Sequence, residues 1–322
     1  MLTPIVNIII GTLKFKGCKS FEVNTDVNNL SVTGKAELPL RAMLIGEDKR
    51  QRIMVDESIK QGDPIRIEAG YAEEEVRTVF NGFISNIDPA DSVKIAFEDA
   101  IYLMRKQAVI LDEEDITVAD LCQKLLPDGY SLSKQIIDTT IDAFKYKGNA
   151  AGALARLKES MRLSCFFDGK ELFVGGHQMN PKGQVQLIYG RNILKNQTSY
   201  QYADVNPVLV TMIGKKEDGT EVKVVAGQEG GSAMTFYKYN VTDKALLTTM
   251  ANEELKRYSF NGFKGSLKAW FIPFAEAGGS VLYRNENYKQ EVEGTYFIKG
   301  VKYSFTTGAG LKQQIKLGAK LR

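Results

Sequence analysis

Along the first hundred residues, apolar and polar positions alternate in short runs. Val6–Ile10, Lys19–Val23, Ser31–Leu38, Pro64–Ala69, Thr78–Ile87 and Val93–Phe97 are each set off by Gly, Asn-Asn, Asp or Pro. In Ile65-Arg66-Ile67-Glu68-Ala69 the period is two, the pattern of a strand with one buried face. Six such runs in so short a span predict a small barrel rather than a layered α/β fold. Gly46–Lys60 interrupts them with mixed charge and is expected to project as a hairpin tip or arm.

The texture changes after residue 112. Asp112-Glu113-Glu114-Asp115 leads to Thr117, with Asp120 three residues on, which reads as an acidic helix start with an N-cap. Val118, Leu121, Cys122 and Leu125 then form one helical face, ended by Pro127-Asp128-Gly129. A second helix is expected over Ala150–Met161, with Leu154, Leu157 and Met161 inward. Ser164–Val174 holds two apolar runs joined at Asp168-Gly169, a tight hairpin.

From Leu187 the β pattern returns. Runs at Asp204–Ile213, Glu221–Val225, Gly265–Phe271, Ser280–Tyr283, Gly294–Phe305 and Lys312–Leu317 surround a third helix over Thr242–Tyr258. The chain thus divides into a first barrel at 1–111, with the arm at 46–60, an α+β insert at 112–190, and a second barrel at 191–322 with the helix 242–258. A loose internal echo links the two β regions: Gly62 stands to Tyr71 as Gly279 stands to Tyr288, and each Tyr precedes an aromatic-rich run.

Composition narrows the function more than it directs it. With 322 residues, 43% hydrophobic and 25% charged, the chain can bury real cores. Lys plus Arg number 42 against 39 for Asp plus Glu, and this dispersed balance argues for neither nucleic acid nor an anionic membrane. Cys18, Cys122 and Cys165 are far apart and odd in number, so neither a disulfide framework nor a zinc knuckle is indicated, and a reducing compartment fits. Ile5–Ile10 is too short to cross a bilayer and lacks a basic leader region, so it reads as an opening strand of a soluble protein made in a bacterial-type cytoplasm.

Catalytic chemistry finds little footing. His177 is the single histidine, in Gly175-Gly176-His177-Gln178, where a surface loop is the ordinary reading. Gly227-Gln228-Glu229-Gly230-Gly231-Ser232 lacks the Gly-Lys-Ser/Thr ending of a phosphate cradle, and reads as a flexible loop at a ring surface. Glu159 and Asp168 are the pair that a glycosidase would need, yet one faces solvent on a helix and the other occupies a turn. Lys256–Lys264 mixes cations with aromatics, and a helix C-terminus explains it better than nucleic-acid stacking. No catalytic, cofactor or metal residue is assigned, and the chain is read as a non-enzyme.

The succession of elements resembles the baseplate hub family of contractile phage tails, which includes the late control protein D type and the hub part of type VI secretion spikes. The residues that carry the resemblance are Phe21-Glu22-Val23 through Ala36-Glu37-Leu38-Pro39, then Gly62-Asp63-Pro64-Ile65, Gly70-Tyr71, and Val79-Phe80-Asn81-Gly82-Phe83-Ile84. Phe97-Glu98-Asp99, the helix and hairpin of Ala150–Val174, and the helix Thr242–Tyr258 follow in the family's order. The charged arm and the end at Arg322, without a spike or lysozyme domain, depart from it and make a separate spike chain the expectation.

The resemblance implies a mainly β fold with an α+β insert, in which two tube-protein-like barrels flank a small helix-plus-hairpin domain. It implies a homotrimer, six barrels in a ring, joining the tail tube to the central spike in the virion baseplate and touching other baseplate proteins. Such a ring would be assembled in the host cytoplasm, with DNA passing through it without specific binding and with no membrane insertion. Candidate assembly contacts are Glu47, Asp48, Lys49, Arg50 and Arg52 on the arm, and Gly227, Gln228 and Glu229 in the glycine-rich loop. The alternatives are a tail-tip or tube adaptor of a non-contractile phage, and a cell-wall carbohydrate-binding or hydrolase module.

Overall fold

The computed structural model describes residues 3–45, 50–137, 139–161, 163–176, 182–216, 219–239, 241–285 and 293–321. The alternating segments of the first hundred residues become β1 (Pro4–Ile10), β3 (Ser20–Asp26), β4 (Thr33–Pro39), β7 (Pro64–Tyr71), β8 (Arg77–Pro89) and β9 (Ser92–Glu98). A short β2 (Leu13–Lys16) edges them, and β5 (Arg41–Ile45) pairs with β6 (Arg50–Met54) as a separate two-stranded arm. The one-turn α1 (Val55–Ser58) returns the chain to the core, with Val55 and Ile59 buried. The arm therefore ends at Met54, short of the expected Lys60, because these two apolar side chains anchor residues 55–59 to the core.

The chain then leaves this unit through α2 (Ile101–Lys106). The insert holds β10 (Ala108–Thr117), α3 (Val118–Leu125), β11 (Ser131–Leu132), β12 (Thr140–Asn149), α4 (Ala150–Met161), β13 (Ser164–Asp168) and β14 (Glu171–Gly175). Its own core joins Leu121, Cys122, Leu154, Leu157, Cys165 and Leu172 with Ile101 and Met104 of α2. Thr117 caps α3 as expected, accepting from Asp120 N at 3.0 Å. Asp112–Asp115, however, do not open a helix: they lie on β10, paired with β12. At the hairpin, Asp168 pairs with Glu171 and the two-residue loop is Gly169-Lys170, with Gly169 at φ +60°. Glycine sits where that turn needs positive φ, and Asp168 is displaced from the turn to the strand end.

The second β region supplies β15 (Gln184–Ile188), β16 (Ile193–Gln201), β20 (Gly262–Trp270), β21 (Ser280–Arg284), β22 (Gly294–Thr306) and β23 (Gly310–Lys320). Between β16 and β20 sits a lobe of β17 (Val208–Lys215), β18 (Glu221–Gly227), β19 (Ser232–Tyr239) and α5 (Lys244–Tyr258). Its core of Val208, Val210, Met212, Phe236, Leu247 and Ala251 is separate from that of the main sheet. The expected third helix thus belongs to a lobe of its own. Asp204 lies in the turn before β17 rather than in a strand.

One thirteen-stranded sheet contains both β regions. Its path runs β16-β20-β23-β22-β3-β4-β9-β8-β7-β1-β2, with β21 and β15 attached beside β22. The order repeats. Numbered along the chain within each region, β1, β3, β4, β7, β8, β9 and β15, β16, β20, β21, β22, β23 both lie in the spatial order 2-3-6-5-4-1.

The repeat extends to single residues. Ile84 pairs with Phe97 and Ile298 with Leu317, and each ladder then slips by one residue, at Ser85 and at Lys299. Gly62 N donates to Ile84 O and Ile84 N to Asp63 O, while Gly278 N donates to Ile298 O and Ile298 N to Gly279 O. Gly62 and Gly278 both have positive φ, at +94° and +89°. The structural partner of Gly62 is therefore Gly278, one residue before the Gly279 of the sequence echo; Tyr288 lies outside the described residues. One difference stands out: β1 runs antiparallel to β7, but β15 runs parallel to β21.

Candidate assembly interface

The two units meet where β3 pairs with β22, over Ser20–Asp26 and Gly300–Thr306. The first half of β22 pairs with β21 of its own unit, and beyond the bulge at Lys299 the same edge pairs with the other unit. Beneath this join Phe21 and Phe305 stack, with ring centroids 6.2 Å apart. Val23, Val301 and Tyr303 are buried there. Burial of residues from both units in a single core makes the join part of the fold itself.

Charge runs along the outer side of the join. Lys302 Nζ lies 2.6 Å from Glu22 Oε2, and Lys316 Nζ lies 3.0 Å from Asp26 Oδ2. Burial alone would raise the Glu22 carboxyl, but hydrogen bonds from Lys302 and Asn24 outweigh it and hold it below the usual range. Asp26, Lys302 and Lys316 border an open groove of about 700 Å³ that Gln197 and Gln314 also line.

The acidic step Glu98-Asp99 ties the first unit to the insert. Arg105 grips Glu98 with Nε and Nη2 at 2.8–3.1 Å. Asp99 is 4% exposed and accepts from Val32 N at 2.8 Å and Ile101 N at 3.0 Å, so it closes the β3–β4 connection onto the start of α2. Burial pushes its carboxyl up to about 7, against the pull of those two backbone donors.

The residues marked as assembly contacts fall in two places. Arg50 and Arg52 lie on β6, opposite Ile45 and Met43, and Arg52 and Met43 are exposed. Glu47, Asp48 and Lys49 lie outside the described residues, as does His177. Gly227, Gln228 and Glu229 begin the exposed crossing from β18 to β19. Gln228 N donates to Val208 O and Ser232 N to Pro207 O, and a Cβ at Gly227 or Gly231 would collide with that same backbone. Close passage over the start of β17 accounts for the glycines. The arm and the loop belong to separate sheets.

Asp168 is bound by Lys182, while Glu159 is exposed on α4. Among the described residues no cluster of three or more His, Cys, Asp or Glu could hold a metal ion. No helix among them is long and apolar enough to cross a membrane. The three cysteines are free and buried, and burial pushes the Cys18 and Cys122 thiols up to about 12.

No protein-family model matches the chain, and no curated protein matches it in sequence. Solved structures do match. A tail protein of Neisseria meningitidis superposes with a TM-score of 0.67 at 12% identity, covering 98% of this chain and 96% of that one. The 43 kDa tail protein of prophage MuSo2 from Shewanella oneidensis gives 0.64 at 13% identity, with 98% of both chains covered. An Escherichia coli component of the type VI secretion system, described as similar in structure to the T4 tail proteins gp27 and gp5, gives 0.59 at 9% identity over 98% of this chain and 77% of that one. The chain therefore has the fold of phage tail proteins and of a type VI secretion component, the fold that its sequence resemblance implied.

Proposed function

We propose that the chain is a structural component of a phage tail or tail-like injection machine, acting as a baseplate hub. Three copies form a ring that joins the tail tube to the central spike and touches other baseplate proteins. The likeness to tail proteins over nearly the whole chain carries this reading. The internal repeat supports it: two similar units per chain let three chains present six similar positions, a match between a sixfold tube and a threefold spike. The reading has no enzymatic step, and places the chain in the virion tail after assembly in the host cytoplasm. The arm and the Gly227–Glu229 loop serve as contacts with neighbours.

Light scattering over a range of protein concentrations tests it. A mass near three times 35.8 kDa is expected. A monomer at every concentration, or hydrolysis of purified peptidoglycan, would overturn it.

A further inference from the structure

The internal repeat holds a join between units that can be compared with the chain's own free edges. Within the chain, β3 of the first unit pairs with the second half of β22 of the second. The equivalents of these two strands are β16 and the second half of β8. Neither has a strand partner on that side among the described residues: β16 pairs with β20 at the end of the sheet, and β8 pairs with β7 only as far as Phe83.

We infer that β16 of one copy of the chain pairs antiparallel with the second half of β8 of the next copy, repeating between chains the join that β3 and β22 make within one.

The register comes from the repeat. The shared bulge equates Asn86, Ile87 and Asp88 with Gly300, Val301 and Lys302. Gly34 opposes Phe97 and Gly265 opposes Leu317, which equates Val23 with Thr198, Asn24 with Ser199 and Asp26 with Gln201. Lys302 opposite Asn24, and Gly300 opposite Asp26, become Asp88 opposite Ser199 and Asn86 opposite Gln201 of the neighbour.

Three observations at these edges fit. Ser85 O accepts from the Gln61 side chain at 2.9 Å, whereas the equivalent Lys299 O accepts from the backbone of Val27. Thr198 N donates to the Asn196 side chain at 3.1 Å. On both edges a side chain occupies a backbone group that a neighbouring strand would otherwise take. The third observation is Tyr202, one residue past β16 as Val27 is one past β3. Val27 is buried at 7% exposure and Tyr202 is 54% exposed, and a strand laid along β8 would cover it. Pro89 lacks an N–H and limits the ladder to its inner end, about Ser85–Asp88.

The inference rests on the ring reading but can fail separately from it. Val27 N donates to Lys299 O, so by antiparallel alternation Asn24 and Lys302 form a non-hydrogen-bonded pair, the closely spaced kind that admits a disulfide. The test is the full chain carrying Asp88→Cys and Ser199→Cys together, oxidised mildly and run without reductant, with light scattering in parallel. Covalent multimers up to trimer are expected from the double variant, covalent dimers and nothing larger from an equimolar mixture of the two single variants, each of which brings one engineered thiol, and no cross-link from either single variant alone. A control pairing Asp88→Cys with Thr198→Cys, whose side chains point to opposite faces, should give at least tenfold less product. A double variant with the wild-type trimeric mass but no cross-link would overturn the pairing and leave the ring intact. A strict monomer would overturn both.

Discussion

Gly34 and Gly265 hold the same place in the two units of the sheet. A Cβ on Gly34 would run into the carbonyl oxygen of Glu22 on β3, and a Cβ on Gly265 into that of Gln197 on β16. In both units strand two passes so close to strand three that only glycine fits. Gly34→Ala and Gly265→Ala are each expected to lower stability by about 1–3 kcal/mol, the usual range for overpacking. Gly265→Ala should be the worse, because its φ of +119° adds backbone strain. Urea unfolding of the two variants checks this, and equal stability to wild type in either would contradict the close approach.

Asp99 should make the fold weaker as pH rises. Its carboxyl is raised from 3.8 to about 7 by burial, so the folded chain holds a proton that the unfolded chain has released. Stability contributed by this group is complete below the unfolded value and is lost as pH climbs through about 7, by an order of 4 kcal/mol at most. Asp99→Asn should flatten that slope between about pH 4 and pH 7, at the cost of one side-chain oxygen that accepts from a backbone N–H. Unfolding free energies of both proteins across that range decide it.

Glu22 has the opposite sign. Its folded value is lowered, so its contribution is present above the unfolded value and disappears as pH falls through the folded one. The Glu22–Lys302 pair is part-exposed, and a double-mutant cycle of Glu22→Gln with Lys302→Met should give a coupling of about 0.2–1 kcal/mol. A coupling of several kcal/mol would mean that the join depends on this pair rather than on its apolar floor.

The cysteines are expected to resist a water-soluble thiol reagent while the chain is folded. All three are buried, and burial holds Cys18 and Cys122 far above neutral pH as thiols. Mass spectrometry should show no label in buffer and three labels in denaturant. Rapid native labelling would place a cysteine at the surface.

Arg50 and Arg52 separate folding from assembly. They lie on β6 of the two-stranded arm, where Arg52 is exposed, so Arg50→Glu with Arg52→Glu should shift unfolding by no more than about 0.5 kcal/mol. As assembly contacts, the same changes should reduce the trimer fraction seen by light scattering. A trimer fraction unchanged at equal stability would exclude the arm as a contact.

The strands that were legible in the sequence are those with a buried face. Ile65–Ala69 and Val93–Phe97 alternate because β7 and β9 place every second residue in the core. What was not legible was polar. Lys195-Asn196-Gln197-Thr198-Ser199 carries no apolar alternation because β16 is an edge strand with few fully buried positions. Asp112–Asp115 concealed β10 in the same way, since the β10–β12 ribbon buries only occasional residues such as Leu111, Ile116 and Phe144. Neither the separate lobe around α5 nor the single sheet could be read from local pattern, because both depend on pairing between segments far apart in the chain. The candidate interface was hidden for the same reason. An edge awaiting a partner looks like solvent-facing sequence.

The bulges at Ser85 and Lys299 lie at the same point of two long strands. In β22 the bulge divides the strand into a half that completes its own unit and a half that pairs with the other; under the inferred pairing, the bulge in β8 would do the same between chains. The bulge is thus a local determinant of how adjacent units meet, acting beside the shared core beneath the join. Removing one of the two would not loosen the sheet evenly. It would make alternate angles unequal, and a closed figure built from such units would lose its roundness before it lost its stability.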